Sequence, residues 1–170
     1  LFNEEWKTYD CGSISLSGIE IDSTNESTLY NSLVLDNDKY NIVIMHGQIG
    51  QINLNAMKNK GIDYLALGHV HEYQNGPIDN RGIYCYSGCL EGRGFDECGQ
   101  HGFVVLDIDE KKRTVSDTFV PFAKRRLYTV DVDVTGCSHS VEMAECIKEQ
   151  LAEASCQSSD LVKIVLNGAL

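Results

Sequence analysis

Three histidines, His46, His69 and His71, are the side chains whose type and spacing best suit shared chemistry. Neutral imidazole is the commonest side-chain metal ligand and suits Mn, Fe and Zn alike, so a converging set of rings points to a metal centre without choosing the ion. In an extended strand residues two apart face the same side, so His69 and His71 can enter one site; on a helix they would diverge by roughly 200 degrees. Gly68 removes a side chain where that strand must open toward a ligand. A single histidine after a buried strand also serves as a hydrogen-bonded loop residue, and an HxH pair alone carries little specificity. Two successive strand ends that each present histidine, joined as in a crossover unit, are what favour a common site.

The elements that must position these rings can be read from hydrophobic pattern. Residues 42–45 (IVIM) form a continuous apolar run, read as a strand buried on both faces, that ends at His46-Gly47. Tyr64 to Leu67 is a second such run and ends at Gly68-His69. A short helix over 53–60, closed by Gly61, is expected to join them. Binding sites in open α/β sheets lie outside the carboxyl ends of the strands, where both histidine-bearing turns would fall.

Upstream, GSISLSGIEI (12–21) alternates Ile14, Leu16, Ile19 and Ile21 with small or polar residues and breaks at Gly18. That predicts a half-buried strand with a bulge, followed by a short helix over 26–33. Downstream, Gly76 to Gly102 holds seven glycines and Pro77, which marks a long irregular connection with one short strand at 83–86. Loops of that length in compact domains are usually functional. Residues 103–108 and 114–120 read as a hairpin closed by Pro121, where a boundary is expected. Beyond it, Tyr128, Val130, Val132 and Val134 alternate as a strand, Val141, Ala144, Ile147, Leu151 and Ala154 recur at helical spacing, and 161–166 is a last strand. The fold class is therefore α/β, with residues 1–121 as one region and 122–170 as a small strand-helix-strand unit.

Composition limits the alternatives. A net charge of -11 repels a polyanion at long range unless basic groups cluster. The clusters present are Lys111-Lys112-Arg113 and Lys124-Arg125-Arg126, and short charge runs of this kind are usually solvated turns. Seven cysteines, an odd number without a CxxC pair, read as free thiols of a reducing compartment, and Cys85, Cys89 and Cys98 match no common zinc spacing. No run approaches the roughly 18 apolar residues of a membrane helix, and no signal-peptide pattern opens the chain, so a cytoplasmic protein without a membrane partner is expected. The first residue is Leu1 and all three methionines are internal, which reads as a processed chain or a segment of something longer. His101 and His139 fall in polar turn contexts and receive no role.

NIVIMHG, DYLALGHVH and YSGCLEGRGFDECGQHGFVVLDID together resemble the second half of the calcineurin-like metallophosphoesterases, most closely the SbcD-type DNA-repair exonucleases. The resemblance covers roughly Tyr9 to Pro121, and PFAKRRLYTVDVDVTG with LVKIVLNG resembles the start of the capping region that follows the catalytic domain in these nucleases. It implies the C-terminal part of a β-sandwich flanked by helices, 1–121, and the start of the cap, 122–170. It also implies two divalent metal ions, typically manganese, with His46 and His69 on the second and His71 on the first, DNA as substrate and an SbcC-type ATPase as partner. The family's earlier DxH, GD and GNHD motifs, which supply the bridging aspartate and the catalytic histidine, do not occur here, so no catalytic residue is assigned and the chain alone is expected to be inactive. Ser87 and Cys89 in Tyr86-Ser87-Gly88-Cys89 replace the family's usual proline and serine. Arg93, in EGRGF, is a candidate contact for substrate phosphate, or equally a structural partner of Glu91, Asp96 or Glu97. Two other functions remain open at this stage: a phosphoesterase for small phosphoesters, which the acidic charge favours, and a non-catalytic interaction module.

Overall fold

The computed structural model describes residues 2–110, 112 and 114–168, and the chain is mixed α/β with strands predominating. It divides into two compact units, one running up to Cys89 and including Gly102–Val120, the other comprising Leu90–His101 and the chain from Pro121 onward.

In the first unit, β1 (Lys7–Cys11) and β2 (Ile14–Gly18) form an antiparallel hairpin that turns at Gly12, whose φ of 79° is the left-handed conformation a tight turn needs. The strand expected over 12–21 stops at Gly18, where the Phe2 ring packs so closely that a Cβ would sit 2.5 Å from it. Nothing in the hydrophobic pattern marks β1, whose five residues are all exposed. After α1 (Leu29–Ser32) come β3 (Tyr40–His46), α2 (Leu54–Met57), β4 (Tyr64–Gly68), β5 (Gln74–Pro77) and β6 (Ile83–Tyr86). They complete a six-stranded sheet in the order β1-β2-β3-β4-β6-β5, parallel from β2 through β6 and flanked by the antiparallel edges β1 and β5.

Both helices are one turn long, shorter than the expected 26–33 and 53–60. Each is followed by an extended residue, Leu33 and Lys58, and a single turn cannot repay its own nucleation. They are held by burial of Leu29 and Met57 in the core with Val43, Leu65, Ile62 and Tyr86. The apolar strands are not buried on both faces as expected: Val43, Met45, Leu65 and Leu67 are buried, while Ile42, Ile44 and Ala66 are half-buried. Each fully buried Val or Leu side chain contributes roughly 1.5–3 kcal/mol.

At the N-terminal ends of β3 and β4 lies a buried polar node. Asp63 accepts two bonds from the Arg81 guanidinium, both 2.8 Å, and a third from the Asn41 backbone N–H, also 2.8 Å. The Asn41 side chain donates to the carbonyls of Asp36 and Gly61 and accepts from Ser15 Oγ. Between β5 and β6, Asp79 closes the turn by accepting from the backbone N–H groups of Arg81 and Gly82, and it reaches Asn59 N–H as well. Burial raises the Asp79 carboxyl, but these three donors and the Arg81 charge outweigh it and hold the group below the usual aspartate range.

The expected hairpin is present as β7 (Gly102–Asp109) and β8 (Thr114–Pro121), a separate two-stranded sheet. Tyr73 stacks on Phe119 at 4.8 Å and donates to Asp117, as does Asn75. Burial and then that bond push the Tyr73 phenol up to about 12. The basic cluster at 111–113 lies partly outside the described residues.

The second unit contains β9 (Leu127–Asp133), α3 (Ser140–Glu153) and β10 (Leu161–Asn167), the strand-helix-strand order expected. β9 and β10 pair in parallel. Ile147 and Leu151 of α3 and Ala154 at its C-cap pack on the core as expected and are joined by Met143 and Cys146, whereas Val141, 64% exposed, and Ala144, also exposed, do not. The helix begins at Ser140, after the extended His139, so Val141 lies in its first turn. On β10, Ile164 and Leu166 stand opposite the buried Val130 and Val132 in register, yet both are exposed. Among the described residues no helix is long and apolar enough to cross a membrane.

Two outcomes follow. Asp63→Ala strands the Arg81 guanidinium and the Asn41 N–H, and should cost about 2–4 kcal/mol in urea unfolding, the partial exposure of Arg81 moderating the loss. Since the Asp79 carboxyl is lowered in the folded state, its contribution is complete above the ordinary value near 3.9 and fades as pH falls through the lowered one. Asp79→Asn should therefore lower the urea midpoint at pH 7 and flatten its decline below about pH 4.

Candidate functional site

β3 and β4 run parallel and in register, so His46, the last residue of β3, stands beside Gly68, the last residue of β4. The missing side chain at Gly68 is the reason His46 fits: a Cβ there would come within 2.8 Å of His46 Nδ1. His69 follows at once with φ 109°, a conformation that L-residues with a side chain rarely adopt. This turn sets the His69 ring edge-on against the His46 ring, with centroids 5.4 Å apart and planes at 90°. Both rings line a cavity of about 320 Å³ with Asp22, Glu26, Tyr30 and Gln51 on its walls.

The turn after β3 is braced from beneath. Tyr86, fully buried at the end of β6, donates to the Gly47 carbonyl at 2.7 Å and accepts from the Ile49 N–H at 3.0 Å. Burial pushes its phenol up. Asp22 is spoken for locally: its carboxylate accepts from Thr24 Oγ1, Thr24 N–H and Asn25 N–H, and the Thr24 hydroxyl leads in holding it below the usual range. Tyr30 Oη accepts from the Asn53 N–H at 2.9 Å, which ties α1 to the start of α2.

His71 is placed differently. β4 ends at Gly68 and His69 leaves the extended region, so the HxH pair does not lie in a strand and the alternation that would align its rings does not apply. His71 is half-buried in the following loop, its carbonyl accepting from Cys89 N–H at 3.0 Å. Gly88 packs on the same carbonyl, where a Cβ would come within 2.7 Å, so the YSGC turn clasps the HxH loop through backbone. His71 is not among the residues lining the cavity.

Arg93 lies in the second unit and pairs with Glu97 at 3.0 Å, while its own N–H donates to Glu97 Oε2. His101, expected in a polar turn, is buried, with Nε2 2.9 Å from the Glu97 carbonyl. His139 is exposed ahead of α3 and 3.5 Å from Glu142. Cys85 is a buried thiol that desolvation pushes up, and Cys98 lies in the other unit beside the Phe95 carbonyl. Arg125 lies 3.6 Å from Glu91.

The donor set fits a divalent ion in part. Two imidazoles face one cavity beside a position that only glycine can fill, but among the described residues no three His, Cys, Asp or Glu side chains form a metal-binding group. Of the groups absent from the sequence reading, Tyr86 had a usable signal, since it ends the next core strand level with Leu67. The acidic walls had none, because Asp22 and Glu26 lie in a Ser/Thr/Asn-rich stretch without periodicity. No protein-family model matches the chain, and no curated protein matches it.

The strain at His69 can be measured. His69→Gly should be more stable than His69→Ala by about 1 kcal/mol, because only glycine enters this region without a Cβ penalty. Equal stabilities in urea titrations would show that the turn carries no strain.

Proposed function

We propose that this chain contributes the histidine end of a two-metal phosphodiesterase of the SbcD-type exonuclease kind. In this reading the six-stranded sheet and the β7–β8 hairpin are part of a metallophosphoesterase sandwich, β9–α3–β10 begins the capping region, and the whole protein works in the cytoplasm on DNA with an SbcC-type ATPase. The observation that carries the proposal is the pair of histidines on adjacent parallel strand ends: His46 against the bare Gly68, and His69 turned toward it at 5.4 Å by a backbone few side chains would tolerate. Strained backbone of this kind gathers at functional sites.

In the bound state, His46 and His69 would ligate one ion and His71 would turn from its loop to hold the other; such a pair, manganese in the family this chain resembles, would supply an activated water and charge neutralisation at the phosphodiester. Tyr86 holds the His46 turn in place, and Gly68 keeps room for the ring. Arg93 would have to leave Glu97 to meet a phosphate. A bridging carboxylate is needed to hold two cations at close range, and among the described residues no three His, Cys, Asp or Glu side chains form such a group. One further reading draws on the net charge of -11, which opposes DNA and suits a small phosphoester.

The test is metal content by mass spectrometry with turnover on linear DNA and on a small aryl phosphodiester, both with manganese. It compares this chain with one extended upstream to include DxH, GD and GNHD motifs. The short chain should bind at most one ion and be silent, and the extended one should cut DNA and lose at least 100-fold on His69→Ala. Robust turnover by the short chain that vanishes with His69→Ala would overturn the division of the site, and preference of the extended chain for the small ester would favour the second reading.

A further inference from the structure

Cys137 and Cys146 face each other in the second unit, with sulfurs 3.8 Å apart. Their approach is built into the fold from both sides. Gly136, at φ 84°, turns the chain back after β9, and Cys137 N–H closes that turn on the Val134 carbonyl at 3.1 Å. One residue later Ser138 N–H donates to Glu142 Oε2 at 2.7 Å, which fixes the turn to the first turn of α3. Cys146 stands one helical turn further along, on the face that packs against β9. Both thiols are half-buried in that small core. A disulfide has its sulfurs about 2.05 Å apart, so side-chain rotation with a small backbone adjustment has less than about 2 Å to cover.

We propose that Cys137 and Cys146 are a redox pair that closes to a disulfide in the presence of a hydroperoxide and reopens with thiol reductants. One cysteine loses its proton to solvent and its thiolate attacks a peroxide oxygen; the S–O bond forms, the O–O bond breaks, and the departing hydroxide leaves as water. The second thiolate then attacks the sulfenic sulfur, the S–S bond forms, the S–O bond breaks, and a second hydroxide leaves as water. Two thiols and one hydrogen peroxide become one disulfide and two waters, the sulfurs giving two electrons to the peroxide oxygens. The product staples the turn ahead of α3 to the middle of that helix. It is independent of the histidine site.

The whole chain is treated with a small excess of hydrogen peroxide, alkylated, digested and mapped by mass spectrometry. The expected product joins the peptides of Cys137 and Cys146, is lighter by about 2 Da for the two hydrogens lost, and reverts with dithiothreitol. The oxidised chain should also melt at a higher temperature than the reduced one. In Cys146→Ser, Cys137 should gain oxygen without forming an intramolecular link. If that variant fails to fold by circular dichroism, the map of the unaltered chain decides alone. Alkylation of both cysteines after peroxide, separate over-oxidation of each, or linkage to other cysteines would overturn the proposal.

Discussion

The carboxylate of Asp63 is the point on which the first unit is hung. It sits at the entrance to β4, receives the Arg81 guanidinium from the far side of the β5–β6 turn, and receives the Asn41 N–H from the entrance to β3. Three parallel strands are thereby levelled at their starts. Strands rise about 3.3 Å per residue, so a register fixed at Asn41 and Asp63 is still fixed at His46 and Gly68, about 17 Å along. A slip of one residue would send each side chain to the opposite face and put a side chain where His46 needs none. The placement of the histidine pair at one end of the sheet thus rests on an ion pair at the other.

Much of that frame was legible in the residues. Residues 42–45 and 64–67 are apolar runs too long for loops and bounded by turn formers, and they became the centre of the sheet. What the pattern could not carry was anything without burial contrast. β1 is exposed along its whole length, and β5, read within a glycine-rich connection, pairs with β6 through backbone that almost any sequence could supply. Helix lengths were overread because apolar spacing reports which residues go inward, not where the backbone stops; Leu29 and Met57 are buried whether the helix lasts one turn or two. On α3 the helical spacing gave the packed Ile147, Leu151 and Ala154 but not Met143 and Cys146, which share that face while Val141 and Ala144 are exposed.

The site was legible in its types and less so in its geometry. Histidines after strand ends could be paired on sequence alone, and His46 and His69 do meet. Strand alternation does not align His71 with His69, because the chain leaves the extended region at His69, whose positive φ no propensity announces. Arg93 illustrates a different gap: its partner Glu97 was one of three acidic neighbours, and only coordinates choose among them. Gly88 acts by packing on the His71 backbone carbonyl, a contact that has no sequence signature.

β10 has a consequence for how the second unit breathes. Parallel strands are usually covered on both faces, and a sheet of two is marginal. Here Val162, Ile164 and Leu166 share one face of β10, yet only Val162 joins the core with α3, while Ile164 and Leu166 are open to water. The ladder between β9 and β10 is therefore protected near Leu161 and weakly protected near Asn167. Opening free energies should grade along that one strand, so that its amide protons trade with solvent from the C-terminal end inward, while those of β3 and β4 wait for the whole first unit to unfold.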